Sequence, residues 1–369
     1  MRILFVVWSF AERMGAELFV CDLARAMRRR GHAVEVWPIH DGPLAEDLRR
    51  EGILVTEDWG RLHRSPDVIY AHNQPALVEA LVRFPGAPVV YAVHNGASPQ
   101  DAALDHPGVR RHVAVDQRCL ARIEAEAPDA ATETILNFVD LDRFQPRAPL
   151  PERPRRALVF SNYAREDARL EAIRAACGQA GLSLEVIGKG AGRLESAPER
   201  VLGDYDLVFA KARAAIEAMA VGCSVVLCDF AGLGPMVTSG AFDRLRAFNF
   251  GAGVLTAQVT EAGVLAEIER YDAGDAARVS ARIRAEAGLE AAADLWLDLF
   301  ERVAAEGPAP RSETDDRRLG GARRRWRGLR RVDRMRTLTA QWRNADGLAG
   351  AAYRLGRSVW IALGRPGAL

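Results

Sequence analysis

The sequence lacks the patterns that mark disulfide-rich, zinc-binding and membrane-spanning proteins. Its cysteines are odd in number and include no C-x-x-C pair: Cys21, Cys119, Cys177, Cys223 and Cys228. We therefore expect reduced thiols, most of them in protein cores. No run of 18 or more apolar residues occurs, which argues against a simple membrane-spanning helix.

Motifs for export, dinucleotides and metals are missing as well. The apolar run Arg2–Trp8 is short, and polar Ser9, Glu12 and Arg13 follow it without a small-residue cleavage site. A buried first strand is therefore favoured over a signal peptide. No G-x-G-x-x-G follows that strand, so a dinucleotide site is poorly supported. With no His or Cys ligand spacing, we expect neither a metal nor a cofactor.

Net charge is nearly absent, but it is unevenly distributed. The whole chain carries +1, whereas residues 311–369 contain 15 Arg and 5 acidic residues, a balance of +10. Subtracting this from +1 leaves −9 for residues 1–310. The pattern predicts an acidic body with a basic tail.

Within the basic tail, apolar residues recur every three to four positions, which predicts an amphipathic helix with an Arg-rich face. These residues are Trp326, Leu329, Val332, Met335, Leu338 and Trp342. Such a helix over 323–342 suits an anionic membrane surface, and a solvated or self-packed tail is the alternative. We expect no nucleic-acid binding, because the rest of the chain lacks a basic surface. The prediction is a cytoplasmic protein, with peripheral attachment at the inner face of the plasma membrane left open.

The body reads as two α/β domains. A length of 369 residues suits two domains, and four prolines within 145–156 interrupt regular structure there. We expect domains at 1–150 and 151–285, a closing helix at 286–307 and the tail at 308–369. Two parallel sheets joined in this way place their carboxyl strand edges around one cleft, where such sheets bind ligands.

Short apolar runs alternate with helical stretches, as in parallel sheets covered on both faces. The predicted strands are Arg2–Trp8, His32–Pro38, Val68–Ala71, Pro88–His94, Arg156–Ser161, Ser183–Ile187, Asp206–Phe209 and Ser224–Cys228. The predicted helices are Glu17–Arg30, Ala45–Glu51, Asp167–Ala180, Ala212–Ala220 and one long helix over 281–305.

Candidate ligand-binding residues follow the predicted strands. Gly15 permits a tight turn and opens a helix whose N-terminus can receive an anion, although a plain turn explains it equally well. His94, at a strand end, can donate to a sugar hydroxyl or be a structural histidine. Gly188 and Lys189 form a Gly-Lys-Gly turn that could approach a phosphate, a weak signal by itself.

A second group of candidates lies further along the chain. Lys211 and Arg213 stand at a helix N-terminus, where cations oppose the dipole, and a bound phosphate would explain them. Glu217 could accept from a ribose diol, whereas plain surface charges would account for all three residues. Backbone amides of Gly232, Leu233 and Gly234 could face a cleft ligand, or belong to an ordinary loop.

Four segments resemble the GT-B glycosyltransferases often called family 4 or group 1. The segment 4–32 is similar to the family's first strand, glycine loop and first helix, and 135–146 to its signature before the linker. Residues 187–190 match its G-x-G turn, and 217–234 its E-A-M-A-x-G-x-P-V-V block with the following loop. The resemblance covers about residues 1–305 and implies two Rossmann-like doubly wound domains facing a central cleft.

The resemblance also implies roles for single residues. Gly15 would face the donor diphosphate or the acceptor, and His94 would lie near the transferred sugar. Glu217 would hold the donor ribose, while the loop Gly232–Gly234 would contact the sugar and the diphosphate. The N-terminal domain would then bind the acceptor and the C-terminal domain a UDP- or GDP-type nucleotide sugar. Metal-independent transfer with retention to a cell-envelope glycan or a lipid-linked acceptor is the implied reaction.

The chain departs from the family pattern in three places. Phe209 stands where the family usually has a second Glu, Ser224 replaces the Pro of the E-A-M-A block, and residues 161–167 lack the usual cations. We hypothesise that Arg165, Lys211 and Arg213 restore the missing charge. Phe209 leaves retention or inversion open and favours one alternative, a catalytically silent scaffold in a polysaccharide assembly complex. A nucleotide-sugar epimerase is the other alternative.

Overall fold

The structure, a computed structural model, describes residues 1–63, 65–308, 312–326 and 328. The chain divides into two compact units, 1–310 and 311–369. In the second unit, residues 313–326 form a helix. The rest of the predicted apolar stripe, from Leu329 to Trp342, lies outside the described residues. Over the described part of the chain, no helix has both the length and the apolar character needed to cross a bilayer.

The N-terminal half of the first unit carries a seven-stranded sheet in which every neighbouring pair is parallel, in the order β3-β2-β1-β4-β5-β6-β7. Its strands are β1 Arg2–Ser9, β2 Ala33–His40, β3 Leu54–Val55, β4 Val68–His72, β5 Val89–Val93, β6 Val109–Ala114 and β7 Thr132–Thr134. Its helices are α1 Gly15–Arg29, α2 Pro43–Arg50, α3 Gln74–Arg83 and α4 Gln117–Glu126.

The C-terminal half carries a five-stranded sheet in the order β12-β11-β10-β8-β9, parallel except for the edge strand β12. Its strands are β8 Arg156–Phe160, β9 Ser183–Ile187, β10 Leu207–Ala210, β11 Ser224–Asp229 and β12 Gly232–Met236. The helices that follow in this part of the chain are α5 Ala168–Gln179, α6 Ala212–Val221, α7 Phe242–Arg246, α8 Glu261–Ile268, α9 Ala273–Glu286 and α10 Leu289–Ala305.

Apolar side chains on both faces of the C-terminal sheet explain its two helical layers. Val208 of β10 packs in a cluster with residues of α6 and α9, whereas its neighbour Phe209 packs with residues of α5 and α8. The alternation follows from the two-residue period of a strand. Phe209, fully buried, therefore serves the core at the position where the resemblance leads us to expect a carboxylate.

The strand order determines where ligands can enter each sheet. In the N-terminal half, β1 lies between β2 and β4, and in the C-terminal half β8 lies between β9 and β10. At such switch points the connections leave toward opposite faces, which opens a crevice outside the carboxyl ends of the strands. Residues that follow β1, β4, β8 and β10 are consequently placed around that crevice.

The predicted long helix over 281–305 is wrong, because the chain is interrupted there. Helix α9 ends at Glu286 and α10 begins at Leu289. Between them, the carbonyl of Ala287 accepts a hydrogen bond of 2.8 Å from the N–H of Val139. The N–H of Leu289 donates one of 2.9 Å to the carbonyl of Val139. These bridge-like bonds use groups that a continuous helix would need for itself.

After the break, α10 returns to the core of the N-terminal half. The ring of Trp296 lies 5.3 Å from that of Tyr70, and Phe300 lies 6.4 Å from Phe5, measured between ring centroids. Both α10 side chains are fully buried. Helix α10 therefore packs on the seven-stranded sheet. This packing joins the end of the first unit to its beginning.

Trp296→Ala is expected to lower the free energy of unfolding by about 3–5 kcal/mol, since it removes a fully buried indole and leaves a cavity. Urea denaturation measures this loss. Leu295→Ala is the matched control, because the neighbouring side chain is 59% exposed and its truncation should change stability little. Equal losses for the two variants would contradict the packing of α10.

Candidate functional site

The carboxyl ends of both sheets face one cleft. Its first cavity, about 480 Å³, is lined by residues that follow strands of both halves, among them His72, His94, Asp116, Ser161 and Lys211. The second cavity, about 820 Å³, lies between α1 and α2 on one side and residues 189–198 with α6 on the other. Both volumes lie in the range of small-molecule sites.

The two cavities meet along a shared wall, which we call the border: Met14, Gly15, Phe160, Asn162, Arg213 and Ala214. Two helices start there, α1 at Gly15 and α6 at Ala212, and neither has a hydrogen bond from a capping side chain. Free N–H groups and the positive ends of two helix dipoles therefore converge on the border. Such an arrangement suits an anion.

Strained backbone is concentrated at the cleft. Among the described residues, Asn73, Ala212, Asn249 and Phe250 are the non-glycine residues with positive φ, and the first three line the first cavity. Each such conformation costs of order 1–3 kcal/mol and persists where tertiary contacts impose it. At Ala212 the N–H donates to the carbonyl of Phe250 at 2.8 Å, which ties the start of α6 to the loop that follows α7.

Arg213 lies at the border and connects the two halves. Its Nη2 is 2.5 Å from Asp22 Oδ2 on α1, and its Nε is 2.7 Å from Glu217 Oε1 on its own helix. Burial would lower the pKa of Arg213, but the charges and hydrogen bonds of the two carboxylates raise it above its usual value. The third nitrogen, Nη1, is buried without a hydrogen-bond partner. A buried donor of this kind, without a partner among the described residues, is suited to bind a ligand.

Glu217 is 5% exposed and lines only the second of the two cavities. Burial raises the pKa of its carboxyl, while the charge of Arg213 opposes that rise. The structure thus places Glu217 and Arg213 together, beside the second cavity. It does not place Glu217 against the first cavity.

Lys211 lines the first cavity and is held in a fixed position. Its Nζ is 2.9 Å from Asp229 Oδ2, and it lies 4.3 Å from the ring centroid of Phe230 and 5.1 Å from that of Tyr163. Asp229 also accepts a hydrogen bond of 2.8 Å from the hydroxyl of Ser161. The ammonium is therefore paired before any ligand binds.

The Gly-Lys-Gly turn is shaped by close packing. A Cβ at Gly188 would lie 1.8 Å from the carbonyl oxygen of Ser161. The backbone that follows β8 can therefore approach this position so closely only because the residue is a glycine. Lys189 forms an ion pair with Glu12 and lines the second cavity. Arg165 is exposed and lines a separate small cavity with Tyr163. The structure therefore does not bring Arg165 to the border with Arg213.

The loop predicted at Gly232, Leu233 and Gly234 is part of a strand. Residues Gly232–Met236 form β12, which pairs antiparallel with β11. A Cβ at Gly232 would lie 2.6 Å from the carbonyl oxygen of Ala257, and one at Gly234 would lie 2.8 Å from that of Val254. These glycines are needed for backbone packing. Neither they nor Leu233, which is buried in the core, line the first or the second cavity.

His94 lines the first cavity in a buried aromatic setting. Its Nε2 is 3.0 Å from the hydroxyl of Tyr70, and its ring lies 4.6 Å from that of His72. Burial lowers the pKa of His94, and the neighbouring His72 lowers it further. Burial also lowers the pKa of His72 to about 3, so both imidazoles are neutral near pH 7. The Nδ1 of His72 is buried and has no hydrogen-bond partner in the part of the chain that the structure describes.

Two cleft residues escaped the sequence interpretation. Glu17 and Arg118 both line the first cavity, each in the first turn of a helix that follows a strand. Neither forms a hydrogen bond or ion pair with the side chain of another described residue. Burial raises the pKa of Glu17 to about 7. Their positions just after a strand could have marked them as candidate site residues in the sequence. Their lack of partners is visible only in the structure.

Two other expectations concern cysteines and metals. All five cysteines are free and buried, as predicted. Among the residues that the structure describes, no group of three or more His, Cys, Asp or Glu side chains is arranged to hold a metal ion.

We compared the sequence and the fold with those of known proteins. No family model matches the sequence, and no curated protein matches it either. Among solved structures, HepE of Anabaena in complex with UDP superposes with a TM-score of 0.62 at 17% identity, covering 82% of this chain and 100% of HepE.

Two further solved structures agree. A glycosyltransferase of Rickettsia africae has a TM-score of 0.60 at 14% identity, covering 82% of this chain and 98% of its own. Sucrose-phosphate synthase of Thermosynechococcus elongatus has a TM-score of 0.57 at 14% identity, covering 83% and 100%. With two Rossmann-like halves around a common cleft, the chain has the GT-B fold.

Proposed function

We propose that this protein is a glycosyltransferase that moves a sugar from a nucleotide-diphosphate sugar to an acceptor. The border carries the proposal, because two uncapped helix N-termini and an unsatisfied Arg213 nitrogen meet there. Diphosphate oxygens would satisfy these donors. The solved structures of HepE with UDP and with UDP-glucose support a nucleotide sugar as the ligand.

The two cavities suggest how the donor lies. Its nucleoside would occupy the second cavity beside Glu217, its diphosphate would cross the border at Gly15, and its sugar would enter the first cavity near His94. A neutral His94 could hydrogen-bond a sugar hydroxyl without adding charge. The acceptor would then reach the first cavity from the N-terminal half.

Stabilisation of the leaving diphosphate would come mainly from fixed dipoles. Lys189, Lys211 and Arg213 each have a carboxylate partner, so the cleft is less positive than the sequence suggests. The N-termini of α1 and α6, Nη1 of Arg213 and Arg118, which has no side-chain partner among the described residues, remain available. Oriented donors of this kind stabilise developing charge without reorganising, which supports the expected metal-independent reaction.

The finer points of the proposal rest on the resemblance. A UDP- or GDP-type donor, a cell-envelope glycan or lipid-linked acceptor and retention of configuration are what it implies, while a cytoplasmic location rests on the reduced cysteines. Contact of residues 323–342 with an anionic membrane surface would suit a lipid-linked acceptor. Product analysis by NMR would decide the anomeric configuration.

A thermal-shift screen of UDP, GDP and their common hexose derivatives tests the proposal. A ligand that binds only the folded state at 100 times its Kd adds about 2.7 kcal/mol of stability, so one nucleotide series should raise Tm by several degrees. No shift and no calorimetric binding with any nucleotide would favour the silent scaffold, the alternative that Phe209 suggests. Conversion of the donor sugar without an acceptor would instead identify an epimerase.

A further inference from the structure

Four carboxyl groups line the first cavity, those of Glu17, Asp101, Asp116 and Asp229. The carboxyl of Glu17 differs from the other three in its hydrogen bonding. Asp101 accepts a hydrogen bond from the backbone N–H of His94 at 3.3 Å. Asp116 caps α4 through a hydrogen bond of 2.8 Å, and Asp229 holds the lysine ammonium at 2.9 Å. These three are occupied in holding the structure. Among the described residues, Glu17 has no side-chain partner of this kind.

Glu17 lies where transfer would take place. It stands two residues after Gly15, in the first turn of α1, and so beside the border that the diphosphate would cross. The cavity that it lines is also lined by Asp101 of the N-terminal half and Tyr163 of the C-terminal half. The carboxyl therefore lies between the two walls of the cleft.

The surroundings of Glu17 make it a base of suitable strength. Burial raises its pKa to about 7, its own backbone N–H opposes the rise, and the nearby carboxyls of Asp101 and Glu12 add to it. A general base works best when its pKa lies near the working pH. His94 is less suited, because its Nε2 is engaged with Tyr70 and its pKa is lowered.

We propose that Glu17 is the catalytic base that takes the proton from the attacking hydroxyl of the acceptor. This inference rests on the proposed glycosyl transfer. In that step the acceptor oxygen bonds to the anomeric carbon while the bond from that carbon to the diphosphate breaks. The leaving diphosphate keeps the electron pair, and the acceptor proton moves to the carboxylate of Glu17, from which water removes it.

The position of Glu17 fits an attack beside the leaving group. Because Gly15 and Glu17 both line the first cavity, a hydroxyl bound to Glu17 would approach the anomeric carbon from the part of the cavity that adjoins the border. Front-face approach of this kind gives retention in a single step. Glu17, a residue of the N-terminal half, would then remove the acceptor proton, which the leaving diphosphate would otherwise have to accept.

Glu17→Gln tests the proposal with the full-length protein. Release of nucleoside diphosphate would be followed from the nucleotide sugar that the screen identifies, with water and with methyl glycosides of common hexoses as attacking hydroxyls. We expect kcat to fall by about 10²–10⁴-fold, with the donor Kd from calorimetry changed less than about threefold. Loss of the rising limb near pH 7 in the wild-type rate profile is also expected.

Two further variants separate a base from a structural group. Formate should partly restore turnover to Glu17→Ala, since a small carboxylate can enter the space of the missing one. Glu46→Gln makes the same change in the first turn of α2, at an exposed site, and should keep both kcat and the pH profile. Turnover of Glu17→Gln within threefold of wild type, with an unchanged pH profile, would overturn the inference. Absence of nucleotide binding or turnover in the wild type would instead overturn the proposed function.

Discussion

Replacing Arg213 with methionine is expected to lower the free energy of unfolding by about 3–5 kcal/mol at pH 8, because buried carboxylates lose the charge that compensates them. Arg213 is 7% exposed and joins Asp22 of α1 to Glu217 of α6. Asp22 keeps a second partner, Arg25 at 3.2 Å. Glu217 has no other ion pair within the described residues, so most of the loss should arise there. Urea denaturation measures it.

The loss should depend on pH in a defined direction. Burial already raises the pKa of Glu217, and Arg213 opposes the rise, so removing Arg213 raises it further. A carboxyl whose pKa is higher in the folded state than in the unfolded chain destabilises the fold as pH increases through that interval. Arg213→Met should therefore lose less stability at pH 5.5, where Glu217 can be protonated, than at pH 8.

Two variants test this account of Arg213. Arg302→Met also removes an arginine with two carboxylate partners, Glu133 and Asp298, but its side chain is 45% exposed, so its effect should be small. The double variant Arg213→Met with Glu217→Gln should regain much of the lost stability, because no uncompensated charge remains on α6. A loss below about 1 kcal/mol for Arg213→Met at pH 8 would contradict the buried network.

The fold was predictable because its signals are local. The apolar run that predicted a strand at Arg2–Trp8 forms β1, Arg2–Ser9, and Gly31, with φ of 85°, follows the end of α1 as helix-ending glycines do. The break before Leu289 was missed because it depends on hydrogen bonds to Val139, far away in sequence. Likewise Gly232 looks like a loop residue until its neighbour Ala257 is known.

The site was predictable only in part, because many of its contacts join residues that are distant in sequence. Sequence placed Gly15, Lys211 and Arg213 near strand ends, and the structure brings them to one cleft. The partner of Arg213, Asp22, is 191 residues away in the chain, so the neutralisation of this cation had no local signal. The sequence showed that Glu17 follows a strand, but not that its carboxyl lacks a partner, since that is a property of the assembled cleft.

Gly15→Val is expected to weaken donor binding and to lower turnover by at least about 100-fold, because misplacing a bound substrate by about 1 Å can cost that much in rate, while leaving the fold intact. A Cβ at Gly15 would lie 3.6 Å from Cβ of Arg213, an ordinary contact, so the backbone need not move. The added methyl groups would fill the border that the diphosphate must cross. Calorimetric titration with the nucleotide sugar gives Kd, and thermal unfolding reports the fold.

Gly178→Val is the matched control, because it makes the same change in α5 where a Cβ would meet no atom within 4 Å. It should change neither Tm nor donor affinity appreciably. If Gly15→Val unfolds, Gly15→Ala replaces it, since a single methyl group fits at 3.6 Å and should still raise Kd. Donor affinity within about threefold of wild type in a folded Gly15→Val protein would show that the diphosphate does not pass Gly15. The two helix N-termini at the border would then lose their assigned role, because a ligand that bridges them cannot avoid this position.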